Sequence, residues 1–130
     1  MTESITRIAT AAAPAPAGHY AQGTAWRDLV FVSGQLAARP DGSHTADQPF
    51  DVQVRQALAS LLAILAEAGS GPEHILRVTA YIVGVEHWPD FNRVYAEMLG
   101  EARPARTVVP VPELHHGYLV EVEAIAVRGG

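Results

Sequence analysis

Arg106 and the pair Glu121 and Glu123 are the residues whose types and spacing can do chemistry. Arg106 opens the β-branched run of "ARPARTVVPV" (Ala102–Val111), two residues after Pro104. A guanidinium is almost never buried without a partner. In a stretch that reads as a buried strand, three options exist: Arg106 points to water, pairs with a carboxylate of the chain, or waits for an anion from outside. Glu121 and Glu123 stand at i and i+2 in "VEVEAIAV", so they share one face of a strand. Leu119, Ile125 and Val127 lie on that same face. If the face is covered, two like charges close together raise one carboxyl's pKa unless a cation sits near. Arg106, at the start of the preceding strand, is a candidate for that cation. By spacing alone, a functional Arg–Glu site and an ordinary structural ion pair both remain open.

The other reactive types give less. His115 and His116 are adjacent on a turn with no third ligand, the pattern of solvated side chains rather than of a metal site. His19, His44, His74 and His87 show no ligand spacing. Trp88 and Phe91 read as helix core, and the scattered glycines form no phosphate loop. There is no cysteine, which excludes thiolate catalysis, disulfides and Cys–zinc sites. Net charge is −5 and all nine cations are arginines, with no basic run. The phosphate backbone demands clustered cations, so no nucleic-acid partner is expected. No apolar stretch is long enough to span a membrane, and no secretory signal is readable. The expected compartment is the cytoplasm. The 130 residues, 48% hydrophobic and 18% charged, suffice for one domain (1–130) with a real core.

The elements that must position these residues follow from period and punctuation. "ATAAAPAPAG" (Ala9–Gly18) reads as an extended arm laid on the domain. Asp28–Leu36 is a strand that breaks at Gly34. Val54, Leu58, Leu61, Leu65 and Ala68 recur at helical spacing, with Gln53, Gln56, Ser60 and Glu67 on the opposite side. The helix runs from about Phe50 to Ala68 and closes at Gly69. Arg77–Val85 is a strand apolar on both faces. Trp88, Phe91, Tyr95 and Met98 form a second helical stripe between Pro89 and Gly100. Arg106–Val111 and Tyr118–Arg128 are strands, and Pro110, lacking an N–H, puts the first at an edge or a bulge. The class is α+β, with two helices on one face of one sheet. Val120, Val122, Ala124 and Ala126 should pack on the helices. The other face of that last strand is mostly apolar with no layer left to cover it, which calls for a partner subunit.

Six segments carry a family resemblance: "APAGHYAQG", "VFVSGQL", "QVRQALASLLAILAEAGS", "RVTAYIVGVEHWPDFNRVYAEML", "PARTVVPV" and "VEVEAIAV". In this order they resemble the Rid family, the reactive intermediate deaminases or YjgF-type proteins once labelled L-PSP endoribonucleases. The resemblance implies a chorismate-mutase-like fold: one mixed sheet, two helices on one face, and a homotrimer with a central β-barrel and sites between subunits. It implies hydrolytic deamination of enamines and imines, such as 2-aminoacrylate, to 2-keto acids and ammonia, without cofactor or metal. It implies Arg106 for gripping the substrate carboxylate and Glu121 for holding the attacking water. Tyr20, Ser33, Gly34 and Asn92 match residues of the pocket; Glu123 matches a family position with no chemical step assigned. His19, Thr107, Val108, Pro110 and the 112–118 loop depart from the family pattern, which leaves substrate preference open. Alternatives are a trimeric 2-keto acid binding protein without turnover and a deaminase devoted to one pathway. A ribonuclease fits poorly with so few cations.

Overall fold

The stripe of Val54, Leu58, Leu61 and Leu65 builds α1 (Phe50–Glu67), and all four side chains are fully buried. They pack on a sheet whose strands alternate between core and open face. The computed structural model describes residues 4–128. In chain order its strands are β1 (Thr6–Ile8), β2 (Gly23–Trp26), β3 (Leu29–Gln35), β4 (Ile75–Val83), β5 (Ala105–Val111) and β6 (Val120–Val127). The second helix, α2 (Trp88–Leu99), lies between β4 and β5.

The six strands form one mixed sheet in the order β1-β2-β3-β6-β4-β5. Only β4 and β5 run parallel, and α2 supplies the crossover that a parallel pair needs. Pro110 stands in β5 at the sheet edge, where its missing N–H costs nothing. On one face, Val30, Val78, Ile82, Val120 and Val122 meet Leu58, Ile64 and Phe91 of the helices, all fully buried. On the other face, Trp26 and Phe31 are exposed, and Leu119, Ile125 and Val127 are half-buried. The mostly apolar second face expected from the sequence is therefore bare in the single chain. Among the described residues, no helix is long and apolar enough to cross a membrane.

Three expectations are corrected. First, β1 and β2 precede the one strand read in this region. The β2–β3 hairpin turns at Arg27 and Asp28 without glycine, and Arg27 itself takes a positive φ of 54°. Second, Gln53 and Ser60 are not on a solvated side; both are fully buried. Gln53 Nε2 donates to the carbonyls of Ala46 (3.3 Å) and Gln48 (3.0 Å), while Oε1 accepts the Leu119 N–H at 2.9 Å. One amide thus ties the loop before α1 to the start of β6. Third, β5 is not a buried strand in the chain: of its residues only Val108 is buried, and Arg106 is exposed. The arm is tied to the domain as expected but is not extended throughout: it turns at 11–12 and bends from 17. Ala13 is 2% exposed, and Gln22 Nε2 binds the carbonyls of Thr10, Ala13 and Pro14.

Candidate active site

A bulge creates the site around Glu121. Val32 pairs with Ala124 and Gln35 with Val122, so three steps on β3 oppose two on β6. An extra residue in one strand bends it and re-aims what it carries. Here it brings the Gly34 backbone onto the Glu121 side chain: a Cβ at position 34 would lie 2.8 Å from Glu121 Oε2. Only glycine leaves that carboxylate where it is. Ser33, beside it, is fixed by its own bonds. Its N–H donates to the Gln22 carbonyl at 2.9 Å and its hydroxyl to the Ala21 carbonyl at 2.7 Å.

Glu121 lines a cavity of about 760 Å³ together with Tyr20, Gly34, His44, His115 and His116. The Tyr20 hydroxyl accepts the Ala17 N–H at 3.3 Å. Burial pushes the Glu121 pKa up, the neighbouring Glu123 pushes it further, and His115 opposes both. A carboxylate raised in this way is a better general base near neutral pH than an ordinary one. Glu123 accepts a hydrogen bond from the Tyr81 hydroxyl at 2.8 Å, which raises the Tyr81 pKa.

Arg106 lies elsewhere. It is in register with Val78, whose side chain is in the core. Glu121 is in register with Tyr81, three residues along β4 and on the other face. Within one chain the two residues therefore sit on opposite faces of the sheet, and Arg106 is not the cation beside Glu121. Its guanidinium stacks over α2 instead, with Cζ 5.0 Å from the Tyr95 ring centroid and 5.6 Å from that of Phe91. Among the described residues no carboxylate is ion-paired with Arg106. Of the three options for Arg106, pairing with a carboxylate of the described residues is thus removed.

Of the residues singled out from sequence, the fold brings together Tyr20, Gly34 and Glu121, with Ser33 on the same bulge. It leaves Arg106 and the exposed Asn92 of α2 outside the cavity. His44, His115, His116 and Tyr118 line the cavity without having been singled out as site residues. Their sequence separation hides the cluster.

A family model described as Endoribonuclease L-PSP matches residues 10–128. A RutC family protein of Pyrococcus abyssi is 34% identical over 121 residues, covering 93% of this chain and 95% of that protein. The 2-iminobutanoate/2-iminopropanoate deaminase of Bos taurus is 32% identical over 122 residues, covering 94% of this chain and 89% of its own. The crystal structure of E. coli TdcF with bound serine matches with a TM-score of 0.90 at 32% identity, covering 95% of this chain and 99% of that one. The chain belongs to the L-PSP family, the older label of the Rid family that its motifs resemble.

Proposed function

We propose that the chain assembles as a homotrimer and hydrolyses enamines and imines of 2-keto acids at sites between subunits. Arg106 of one subunit and Glu121 of the next would complete each site. The observation that carries this reading is the Glu121 carboxylate, half-buried against Gly34 in a large cavity, with its pKa raised and, among the described residues, no arginine paired with it. The bare apolar sheet face supports an assembly that covers it. The relatedness to a 2-iminobutanoate/2-iminopropanoate deaminase supports the reaction.

The chemistry is short. The enamine tautomerises to the imine, whose carbon is electrophilic. Glu121 accepts a proton from water as the oxygen adds to that carbon, giving a carbinolamine. The nitrogen takes up a proton, the C–N bond breaks with its electron pair leaving as ammonia, and the hydroxyl loses its proton to give the keto acid. Imine and water in, keto acid and ammonia out: the step balances without a redox partner. Arg106 would hold the substrate carboxylate by two parallel charge-assisted bonds, fixing orientation. The test is ammonia release from freshly generated 2-aminoacrylate, together with sedimentation equilibrium. Release above background by a species of three times 13.9 kDa is expected. A monomer, or keto-acid binding without any acceleration, would contradict the reading.

A further inference from the structure

Three imidazoles crowd the cavity that Glu121 lines. The His116 ring centroid lies 4.7 Å from that of His44 and 3.9 Å from that of His115. His44 Nδ1 is 2.6 Å from the hydroxyl of Tyr118, a residue 1% exposed. The Thr45 N–H donates to the same hydroxyl at 3.3 Å. Among the described contacts only His44 Nδ1 can take the hydroxyl's own proton, so the neutral ring carries its proton on Nε2. The loop that bears His44 is braced. Thr45 Oγ1 donates to the Ala37 carbonyl at 2.6 Å, and Arg39 donates to the His44 carbonyl at 3.2 Å. His116 takes a positive φ of 61°, an uncommon conformation that persists only where surroundings hold it.

These rings gather N–H donors beside one carboxylate, Glu121, on which His115 acts from across the cavity. Among the described residues, no carboxylate is ion-paired with any of the three. The facing groups are few. Asp41 is engaged by the Ser43 N–H and hydroxyl at 2.9 and 2.7 Å. Glu113 flanks the histidines on their own loop, and Glu121 faces them from β6. Arg39 adds positive charge on the His44 side. Among the described residues, no group of His, Cys, Asp or Glu is arranged to hold a metal ion. The cavity, about 760 Å³, lies within the roughly 300–1,000 Å³ of sites for ligands far larger than a three-carbon acid.

We propose that His44, His115 and His116 form a second anion subsite, which takes the distal carboxylate of a dicarboxylic 2-imino or 2-keto acid. This rests on the deaminase reading, which gives the first carboxylate to Arg106 and the imine carbon to water on Glu121. The His116 side chain is exposed, yet partial desolvation, and then the neighbouring His115 and His44, hold its pKa below the usual imidazole range. An anion among the rings favours the charged form and reverses that shift. Binding then takes up a proton, so affinity for the dicarboxylate rises as pH falls through the imidazole range.

The test uses the assembled full-length protein. Calorimetry compares 2-oxoglutarate with pyruvate at pH 6 and pH 8, and ammonia release compares the imines generated in situ from glutamate and alanine. At pH 6 the dicarboxylate should bind about tenfold tighter, roughly what one charge-assisted hydrogen bond supplies. The preference should shrink at pH 8. His44→Asn with His116→Asn should bring the ratio of the two affinities near one; asparagine tolerates the left-handed backbone at 116. A ratio near one in the native protein at both pH values would overturn the subsite. So would a preference that survives in a double variant of unchanged melting temperature. If neither imine is turned over but the histidine-dependent preference persists, the deaminase reading fails and the subsite stands. If the alanine imine is turned over with no preference, the subsite fails and the deaminase reading stands.

Discussion

Replacing Gly34 with alanine moves the Glu121 carboxylate without removing it. The new Cβ would stand 2.8 Å from Oε2 and 3.1 Å from Cδ of Glu121, where ordinary contact begins at 3.4 Å. The carboxylate must therefore retreat by about 0.6 Å, and a misplacement of ~1 Å at a reacting centre costs ~10²-fold. A loss of about tenfold in turnover follows on that scale. The fold should hardly notice. Position 34 needs no left-handed backbone, the displaced group is the end of a flexible side chain, and Gly→Ala at a compatible site gains ~0.4–1 kcal/mol through the unfolded chain. The assay pairs enzyme-dependent ammonia release from 2-aminoacrylate with a melting curve and pyruvate affinity. Lower turnover at unchanged melting temperature and near-native pyruvate affinity is expected. Native turnover in Gly34→Ala would refute the reasoning that this carboxylate's position matters. Equal loss of affinity and turnover would mean that the Cβ blocks the ligand instead.

Three further predictions concern charge and packing. Because the base must be ionised, turnover should fall as pH drops through the raised Glu121 pKa, above the ordinary carboxylate range; Glu123→Gln removes the second cause of the shift and should move that limb lower. The same shift means that ionised Glu121 disfavours the fold, a cost absent below the unfolded pKa and complete above the folded one. Glu121→Gln should therefore melt no lower than native at pH 8, whereas a buried structural ion pair would lose ~3–5 kcal/mol. Arg106→Ala or Arg106→Lys should weaken keto-acid binding and cut turnover, with a small change in melting temperature, since an exposed cation–π contact is worth about 0.5–1 kcal/mol. Gln53→Ala, which orphans the Leu119 N–H and leaves a cavity, should cost about 2–4 kcal/mol in denaturant unfolding at matched protein concentration.

The sequence carried the layers of this fold well, because α1, α2 and β6 state their periods without interruption. The helical stripe from Val54 to Leu65 and the alternation from Val120 to Val127 could not be read otherwise. The short β1 and β2 are not legible, because strands of 3 and 4 residues leave no room for a period and the β2–β3 hairpin turns on Arg27 rather than glycine. Polarity alone places Gln53 and Ser60 on a solvated side, because it does not reveal a partner such as the Leu119 N–H. Glu121 and Gly34 were visible as residues, but their contact comes from a bulge, which no local pattern predicts. Arg106 and Glu121 looked like neighbours because their strands follow one another. The sheet order inserts β4 between them, and the register sends them to opposite faces.

That opposition makes subunit complementation the most direct measurement of the central claim. Arg106→Ala and Glu121→Gln proteins, each expected to turn over far more slowly than native alone, are mixed in equal amounts and allowed to exchange subunits, with hybrid assemblies verified by native mass spectrometry. If each site takes Arg106 from one subunit and Glu121 from its neighbour, random exchange in a cyclic assembly leaves about a quarter of the sites intact. Ammonia release should then recover to about a quarter of native activity. Verified hybrids no more active than the separate variants would contradict a site shared between subunits.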